Sequence, residues 1–251
     1  ELKVDAVRIL RQQPGKKFKA VDFGVDLNAQ TDDTEAMKKC LQAAADFAGV
    51  CEIELPPVRI DIKDSLSLPE AVTITARGQA QIKQKTPERP VFIAENCRYL
   101  VVEHITFNAG GIACDIKAAP NAEMMFADLG VYSSTYAAIR VKAGAGNQAR
   151  LLVRDSVFMS ARQVLDSDVA MAQVDNIWIS AYGKMDDQAV IVNRAGGNML
   201  ISNILTVPAI MKYHYPPHLP YVKDWPYSDN LRWVDNFGKL SLVDNRWGGE
   251  W

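Results

Sequence analysis

Residues 20–82 decide the fold, and they read AVDFGVDLNAQTDDTEAMKKCLQAAADFAGVCEIELPPVRIDIKDSLSLPEAVTITARGQAQI. The segment contains a short apolar strand, a polar turn, one amphipathic helix and then only short strands. Thr31 or Asp32 can accept hydrogen bonds from the first helical amides, and apolar or small residues then recur at three- and four-residue spacing. After Gly49, apolar and polar residues alternate in short runs that prolines interrupt. One helix before many short strands predicts a helix that covers the first layer of a stacked β-structure.

This order resembles the opening of the pectate-lyase-like superfamily. The residues that match are the DFG at 22–24, the TDDT at 31–34 and the LPP at 55–57, and together they cover roughly the first third of the chain. The usual glycine-rich turn is replaced by VDLNAQ at 25–30. The resemblance implies an all-β, right-handed parallel β-helix with one N-terminal capping α-helix. It also implies that the TDD segment is structural rather than catalytic.

Repeated segments in the remaining chain predict a solenoid without reference to any family. Each coil of a β-helix buries its apolar residues on the next coil, so one apolar segment must recur per coil. Taking His104, Asp128, Asp155, Ser180 and Asn203 as equivalent positions gives steps of 24, 27, 25 and 23 residues. A second set of short strands lies between these segments. A fixed period of this kind does not fit a β-sandwich.

Composition favours one β-helix domain over residues 1–251. The chain is 48% hydrophobic and 23% charged, which suffices for one continuous core. A net charge of −2 and an isoelectric point near 6.0, without a basic cluster, argue against nucleic acid as a partner. No apolar run reaches the length of a membrane span. The four cysteines are interpreted as buried free thiols, and Cys97–Cys114 is the expected pair if a disulfide forms.

Both ends of the chain suggest a longer protein. Glu1 is not a natural start, so a leader could precede it. At the other end, KLSLVDNRWGGEW at 239–251 reads as an apolar coil segment without a closing cap. Because an uncovered apolar coil is prone to associate, we expect a further C-terminal domain or a subunit to cover it. The chain is therefore expected to be the N-terminal part of a longer protein.

Two acidic clusters form the first candidate site. Asp166 and Asp168 lie in VLDSDV, and Asp186 and Asp187 lie in KMDDQAV, about one coil further on. Glycosidases need paired carboxylates that serve as acid and as base or nucleophile. The pattern is similar to that of polygalacturonase-type hydrolases, although the glycine-histidine-glycine and arginine-x-lysine coils of those enzymes are missing and the next coil offers only Arg194 and Gly196-Gly197. Acidic turn residues without a catalytic role are the alternative interpretation.

A long loop forms the second candidate site. From Asn203 to Asn245 the step is 42 residues, so this coil should carry an insertion of about 17 residues. The segment AIMKYHYPPHLPYVKDWPYSDN at 209–230 concentrates aromatic and titratable side chains between prolines. Aromatic faces stack on sugars, and Tyr, His, Lys and Arg can remove a proton in a lyase. The predicted substrate contacts are Tyr213, His214, His218, Trp225 and Arg194. Packing against the β-helix is the alternative role for this loop.

The resemblance implies a secreted, periplasmic or cell-surface protein that acts on a polysaccharide or oligosaccharide. Two function hypotheses remain open at this point. One is a glycoside hydrolase or polysaccharide lyase, with Asp166, Asp168, Asp186 and Asp187 as its catalytic residues. The other is a non-catalytic β-helix that binds glycan or supports another domain. No cofactor is expected, although calcium, which some pectate lyases hold between coil-turn aspartates and the substrate, could bind to the same four aspartates.

Overall fold

The computed structural model is a right-handed parallel β-helix with one α-helix, as the sequence predicts. It describes residues 6–108, 110–132, 136–144, 146–159, 163–179, 189–194, 197–206, 234–236 and 239–243. Within these ranges no helix is long and apolar enough to cross a membrane.

The described part of the chain opens with strand β1, a short 3₁₀ helix and helix α1, and all later elements within the described residues are strands. Their bounds are β1 (Lys16–Lys19), the 3₁₀ helix (Ala20–Phe23), α1 (Thr34–Ala45), β2 (Cys51–Leu55), β3 (Arg59–Ile62), β4 (Leu66–Ser67), β5 (Ala71–Ala76) and β6 (Ala80–Gln84). Then follow β7 (Phe92–Asn108), β8 (Ile112–Tyr132), β9 (Ala137–Lys142), β10 (Arg150–Met159) and β11 (Gln163–Ser167). The last strands are β12 (Met171–Ile179), β13 (Ile191–Asn193), β14 (Asn198–Thr206), β15 (Val234–Asn236) and β16 (Leu240–Val243).

All strand pairs are parallel, and the strands form three faces around one core. The first face is the stack β1-β2-β5-β7-β8-β10-β12-β14-β16. The long strands bend, and their later halves, together with β3 and β6, form the second face. The third face contains β4, the starts of β7 and β8, and then β9, β11, β13 and β15. Side chains that point inward from the three faces form one continuous buried cluster.

Helix α1 covers the first coil, as expected, but its surroundings differ from the prediction in one respect. Its buried residues Met37, Cys40, Leu41 and Ala44 pack on the core. The carboxylate of Asp32 accepts a hydrogen bond from the Thr34 amide at 3.1 Å. The DFG segment belongs to the 3₁₀ helix rather than to a strand, because the strand lies one step earlier, in β1.

Polar residues in the left-handed conformation mark the bend between the first and second faces. They are His104, Asp128, Asp155, Asn176 and Asn203, with φ between 49° and 60°. Asn and Asp tolerate this conformation better than most side chains, since their short polar groups can bond locally. Contacts between successive bends are separated by 24, 27, 21 and 27 residues. Asn176 is therefore the equivalent of Asn203, and the prediction of Ser180 for this position is wrong, because β12 begins at Met171 and its register with β14 places Asn176 opposite Asn203.

The cysteines are free thiols, as expected, and all four are buried. Cys97 lies opposite Ala118, and Cys114 lies opposite Phe92, so these two cysteines are not strand neighbours. Burial raises the pKa of Cys40 and of Cys97 to about 12. Such thiols are poor nucleophiles at neutral pH.

The outer surface of the first face carries an apolar stripe that the N-terminal arm, residues 6–15, covers. The stripe consists of Ala71, Tyr99, Val101, Met125, Ala127 and Leu152, all of which are buried. Val7 of the arm belongs to the same buried cluster and is 6% exposed. Outward residues of a β-helix normally face solvent, so the arm explains why these are apolar.

Candidate functional site

The third face carries a charged ladder on its outer surface. Strands β9 and β11 alternate buried and outward side chains over most of their length, and their outward residues Arg140, Lys142 and Asp166 are charged, whereas all three residues of β13 are buried. The ladder consists of Glu95, Asp115, Lys117, Arg140, Lys142, Asp166, Asp168 and Arg194. It contains four anions and four cations, so its local charge is balanced at neutral pH.

Asp166 lies at the centre of the ladder between two cations. Its Oδ2 accepts a hydrogen bond from Lys142 Nζ at 3.2 Å, and its Oδ1 lies 3.2 Å from Arg194 Nη2. The Asp166 side chain is only 13% exposed, whereas both cations are 39% exposed. Oδ1 accepts no hydrogen bond of good geometry from the part of the chain that the structure describes. The predicted residues Asp166 and Arg194 are therefore in contact, with one carboxylate oxygen short of a donor.

One strand earlier, Arg140 pairs with Asp115 through two hydrogen bonds. Arg140 Nε donates to Asp115 Oδ1 at 2.7 Å, and Nη2 donates to Oδ2. The bonds to Asp115 raise the pKa of Arg140, and the negative charge of Asp166 acts in the same direction. Because Asp115, Arg140 and Asp166 occupy consecutive register positions, negative and positive charges alternate along the solenoid axis.

A buried hydrogen-bond network fixes the backbone beneath Asp166 and Arg194. Asn193 is fully buried, and its Nδ2 donates to the Val169 carbonyl at 3.1 Å. Its Oδ1 accepts from the Val169 amide at 3.0 Å and from Ser167 Oγ at 3.1 Å. Satisfied buried networks restrict local motion. The outward side chains on either side of Ser167 and Asn193 are therefore held by a rigid backbone.

The strand register shows which residue of the next coil lies beside Asp166, and so tests part of the prediction that the two acidic clusters are neighbours. Asp166 pairs with Val192 and Ser167 with Asn193, so one coil at this point spans 26 residues. The residue above Asp166 in the stack is thus Val192, and neither Asp186 nor Asp187 occupies that register position. Both of these aspartates lie outside the described residues, and their proximity to Asp166 or Asp168 stays a prediction. Asp168 itself accepts a hydrogen bond from the Ala143 amide.

The second face carries an aromatic patch on its outer surface, near the same end of the solenoid. Val157, Trp178 and Leu205 occupy consecutive register positions on β10, β12 and β14. Tyr132 and Met159 form the adjacent row. Leu205 is 41% exposed, and the other four members are half-buried. The patch thus presents apolar and aromatic surface to solvent.

Two long connections lead from the second face to the third face. The connection from β8 to β9 covers 133–136 and that from β10 to β11 covers 160–162, whereas the next two cover 180–190 and 207–233. The longer pair leaves from Ile179 and Thr206, which are register partners, and returns at Ile191 and Val234, which are also partners. The predicted insertion is confirmed by these flanking strands, and it lies between β14 and β15.

The predicted site residues divide into two groups. The structure places Asp166, Asp168 and Arg194 together on the charged ladder. The remaining candidates lie outside the described residues, within the two long connections: Asp186, Asp187, Tyr213, His214, His218 and Trp225. The sequence reasoning missed Asp115, Arg140, Lys142, Tyr132 and Trp178. The ladder residues could have been found from AIRVK and VLDSD, in which charged residues alternate with apolar ones one coil apart.

The described residues include no group of three or more His, Cys, Asp or Glu side chains that could hold a metal ion. Asp166, one of the four aspartates considered for calcium, already faces Lys142 and Arg194. A cation would have to displace both of these charges. The ladder as described therefore does not fit calcium.

Comparison with known proteins supports the fold and gives no family. No protein-family profile and no curated protein matches the sequence. Among solved structures, the chain is similar to ORF18 of Geobacillus virus E2, with a TM-score of 0.56 and 10% sequence identity. The similarity covers 75% of this chain and 41% of the viral protein, so the chain spans less than half of that protein's length. At this identity the likeness establishes a shared parallel β-solenoid architecture and nothing about activity.

Proposed function

We propose that this protein binds a polysaccharide or oligosaccharide at the edge between its second and third faces. The observation that carries the proposal is the convergence of the two long connections on neighbouring strands. Both connections leave beside the aromatic patch and return beside the charged ladder. Every residue singled out from the sequence as catalytic or sugar-binding lies either on the ladder or within one of these connections.

The described residues supply the two kinds of contact that a glycan needs. Aromatic and apolar side chains of the patch can pack on the less polar faces of sugar rings, which contributes on the order of 1 kcal/mol per ring by analogy with aromatic pairs. Charged side chains of the ladder can bond to hydroxyl or carboxylate groups of the sugar. Arg194 is well placed for this role, because it is 39% exposed and rests on the rigid Asn193 backbone.

Ligand binding explains the described geometry better than catalysis does. Lys142 and Arg194 engage the Asp166 carboxylate, and the Ala143 amide engages that of Asp168. A hydrolase needs a second carboxylate several ångströms away, and the candidates for that role, Asp186 and Asp187, lie outside the described residues. The more specific form of the proposal is that the protein has hydrolase or lyase activity and is located outside the cytoplasm.

The proposal is tested by affinity electrophoresis and calorimetry with neutral and uronate-containing polysaccharides. Changing Trp178 to Ala should weaken binding several-fold, and changing Arg194 to Gln should weaken binding of uronate-containing chains more than of neutral ones. Leu27→Ala is the matched control, because Leu27 is 57% exposed and lies before helix α1, far along the chain from both surfaces. If no glycan binds, or if Trp178→Ala and Leu27→Ala bind equally well, the proposal fails.

The same samples distinguish binding from cleavage. Release of reducing ends would indicate a hydrolase, and absorbance of unsaturated products would indicate a lyase. In either case Asp186→Asn with Asp187→Asn should abolish product formation and preserve binding. Binding without product would identify the non-catalytic alternative.

A further inference from the structure

The N-terminal arm lies across the strands rather than along them. Next to β1, the Gly15 amide donates to the Val50 carbonyl at 2.8 Å, immediately before β2. Further along, the Gln12 amide donates to the Tyr99 hydroxyl of β7 at 3.0 Å. At the far end, the Val7 amide donates to Gln173 Oε1 of β12 at 2.7 Å. The arm thus passes over the first face from β2 to β12.

The fully extended length of the arm is only slightly greater than the distance from β2 to β12. From β2 to β12 the stack β2-β5-β7-β8-β10-β12 has five steps, which correspond to about 24 Å at about 4.8 Å per step. The nine residues from Val7 to Gly15 are joined by eight steps, which span at most about 26 to 29 Å when fully extended. The arm is therefore taut, and it cannot keep both ends attached if the strands between them separate.

Apolar and charged contacts hold the arm between its ends. Val7 is buried with the apolar stripe, whose members Val101, Met125 and Leu152 lie on three successive strands. Arg11 Nη2 lies 2.6 Å from Glu103 Oε1, and the Glu103 side chain is only 9% exposed. Leu10 of the same arm is 78% exposed and contributes nothing to this interface.

We propose that the arm is a clamp that couples the coil of β12 to the coils of β2 and β7. In a solenoid each coil contacts only its neighbours, so its stability is approximately a sum of nearest-neighbour contacts. The arm adds a contact between Val7 and Gln173, which are 166 positions apart, and it thereby connects β12 to strands that are not its neighbours in the stack. Opening of the later coils therefore requires release of the arm as well as separation of neighbouring strands.

Hydrogen exchange on the full chain tests the clamp. Val7→Asp places a charge against the apolar stripe and should release the far end of the arm. Amides of β10 and β12 should then exchange about tenfold faster, whereas amides of β3 and β6, which the arm does not cross, should keep their rates. Leu10→Asp is the matched control, since it adds the same charge to the exposed side of the arm, and it should leave all these rates unchanged.

A second variant changes the partner of the arm instead of the arm itself, so the proposal can still be tested if Val7→Asp fails to fold. Gln173→Ala removes the acceptor on β12 without altering the arm, and it should accelerate exchange in β12 in the same direction by a smaller factor. The proposal is overturned if Val7→Asp and Leu10→Asp give the same rates. It is also overturned if Val7→Asp accelerates β3 and β6 as much as β12, because that pattern indicates a general loss of stability. Unchanged exchange in Gln173→Ala would equally contradict it.

Discussion

The apolar stripe and the charged ladder occupy comparable positions on one solenoid and have opposite chemistry. Both consist of outward side chains in register on successive parallel strands. The stripe is buried because the arm lies on it, whereas the ladder remains partly exposed and pairs its charges along the axis. The strand pairing is the same in both places. What differs is whether another segment covers the surface.

This comparison explains a difference in the sequence pattern. Strands beneath the arm read as nearly continuous apolar runs, such as YLVV at 99–102 and EMMFA at 123–127. Strands of the ladder alternate, as in AIRVK at 138–142. A strand covered on both sides must be apolar on both sides, and one exposed on one side need not be. Continuous runs in a solenoid therefore predict a covered face.

The largest effect should come from placing a charge on the stripe. Val101 and Ile93 are both outward residues of β7, but Val101 is fully buried under the arm and Ile93 lies beside Asp115 on the third face. Val101→Lys should lower the free energy of unfolding by about 3 kcal/mol or more, because it buries an unpaired charge or displaces the arm. Ile93→Lys should change it by less than about 1 kcal/mol, since the new charge faces an opposite one. Urea denaturation of both variants makes the measurement, and equal losses would contradict the distinction between the two faces.

A smaller effect should follow from removing the central charge of the ladder. Asp166→Asn leaves Lys142 and Arg194 without their carboxylate, and we expect a loss of about 1.5 to 3 kcal/mol, as for hydrogen bonds to charged groups. Glu95→Gln is the control, because Glu95 is 73% exposed and its pair with Lys117 should contribute less than about 1 kcal/mol. Denaturation at low and high salt is the appropriate measurement. An Asp166→Asn variant as stable as Glu95→Gln would mean that the ladder contributes little to stability.

A single hydrogen bond between arm and stripe should have the next smaller effect. Tyr99→Phe keeps the buried ring and removes only the hydroxyl that accepts the bond from the Gln12 amide. We expect a loss of about 1 kcal/mol in the free energy of unfolding. Thermal unfolding of the variant and the parent at equal concentration is sufficient. A loss as large as that of Val101→Lys would show that the hydroxyl, rather than the apolar contact, holds the arm.

Thiol labelling should show the smallest change, namely none in the native state. Burial raises the pKa of Cys97 to about 12 and raises that of Cys114 as well, so neither should react with a thiol reagent near pH 8 while the coil is closed. Val101→Lys should make Cys97, four residues away on the same strand, react measurably, and Ile93→Lys should not. Rapid labelling of the parent protein would contradict the closed core.

The fold could be predicted from the sequence because its signals are local and repeated. Asp32 near the helix start, the small-residue helix and the recurring apolar segments each reflect a contact with the next coil. The position of the bend was harder to predict, since Ser180 and Asn176 are both small polar residues in the same coil. The left-handed backbone at Asn176 and the register of β12 with β14 place the bend there, and both depend on where β12 begins.

The site was predicted less completely, because pairing across coils depends on register. Asp166 and Arg194 are 28 positions apart, and nothing in their local sequence indicates that they meet. The pairs of Lys142 with Asp166 and of Asp115 with Arg140 can be recognised only when the strands are aligned one above another. The arm is the extreme case, since its recognition of Gln173 involves a separation of 166 residues.

The arm also has a consequence for the order of events during synthesis. Val7 is synthesised 166 residues before Gln173, its partner on β12. At about 5 to 20 residues per second, the arm waits roughly 8 to 33 s before its far anchor exists. The arm is therefore made before the coils that it crosses but reaches its native position only after β12 has been made, and during that interval Val7 and the growing stripe are open to chaperones or to neighbouring nascent chains.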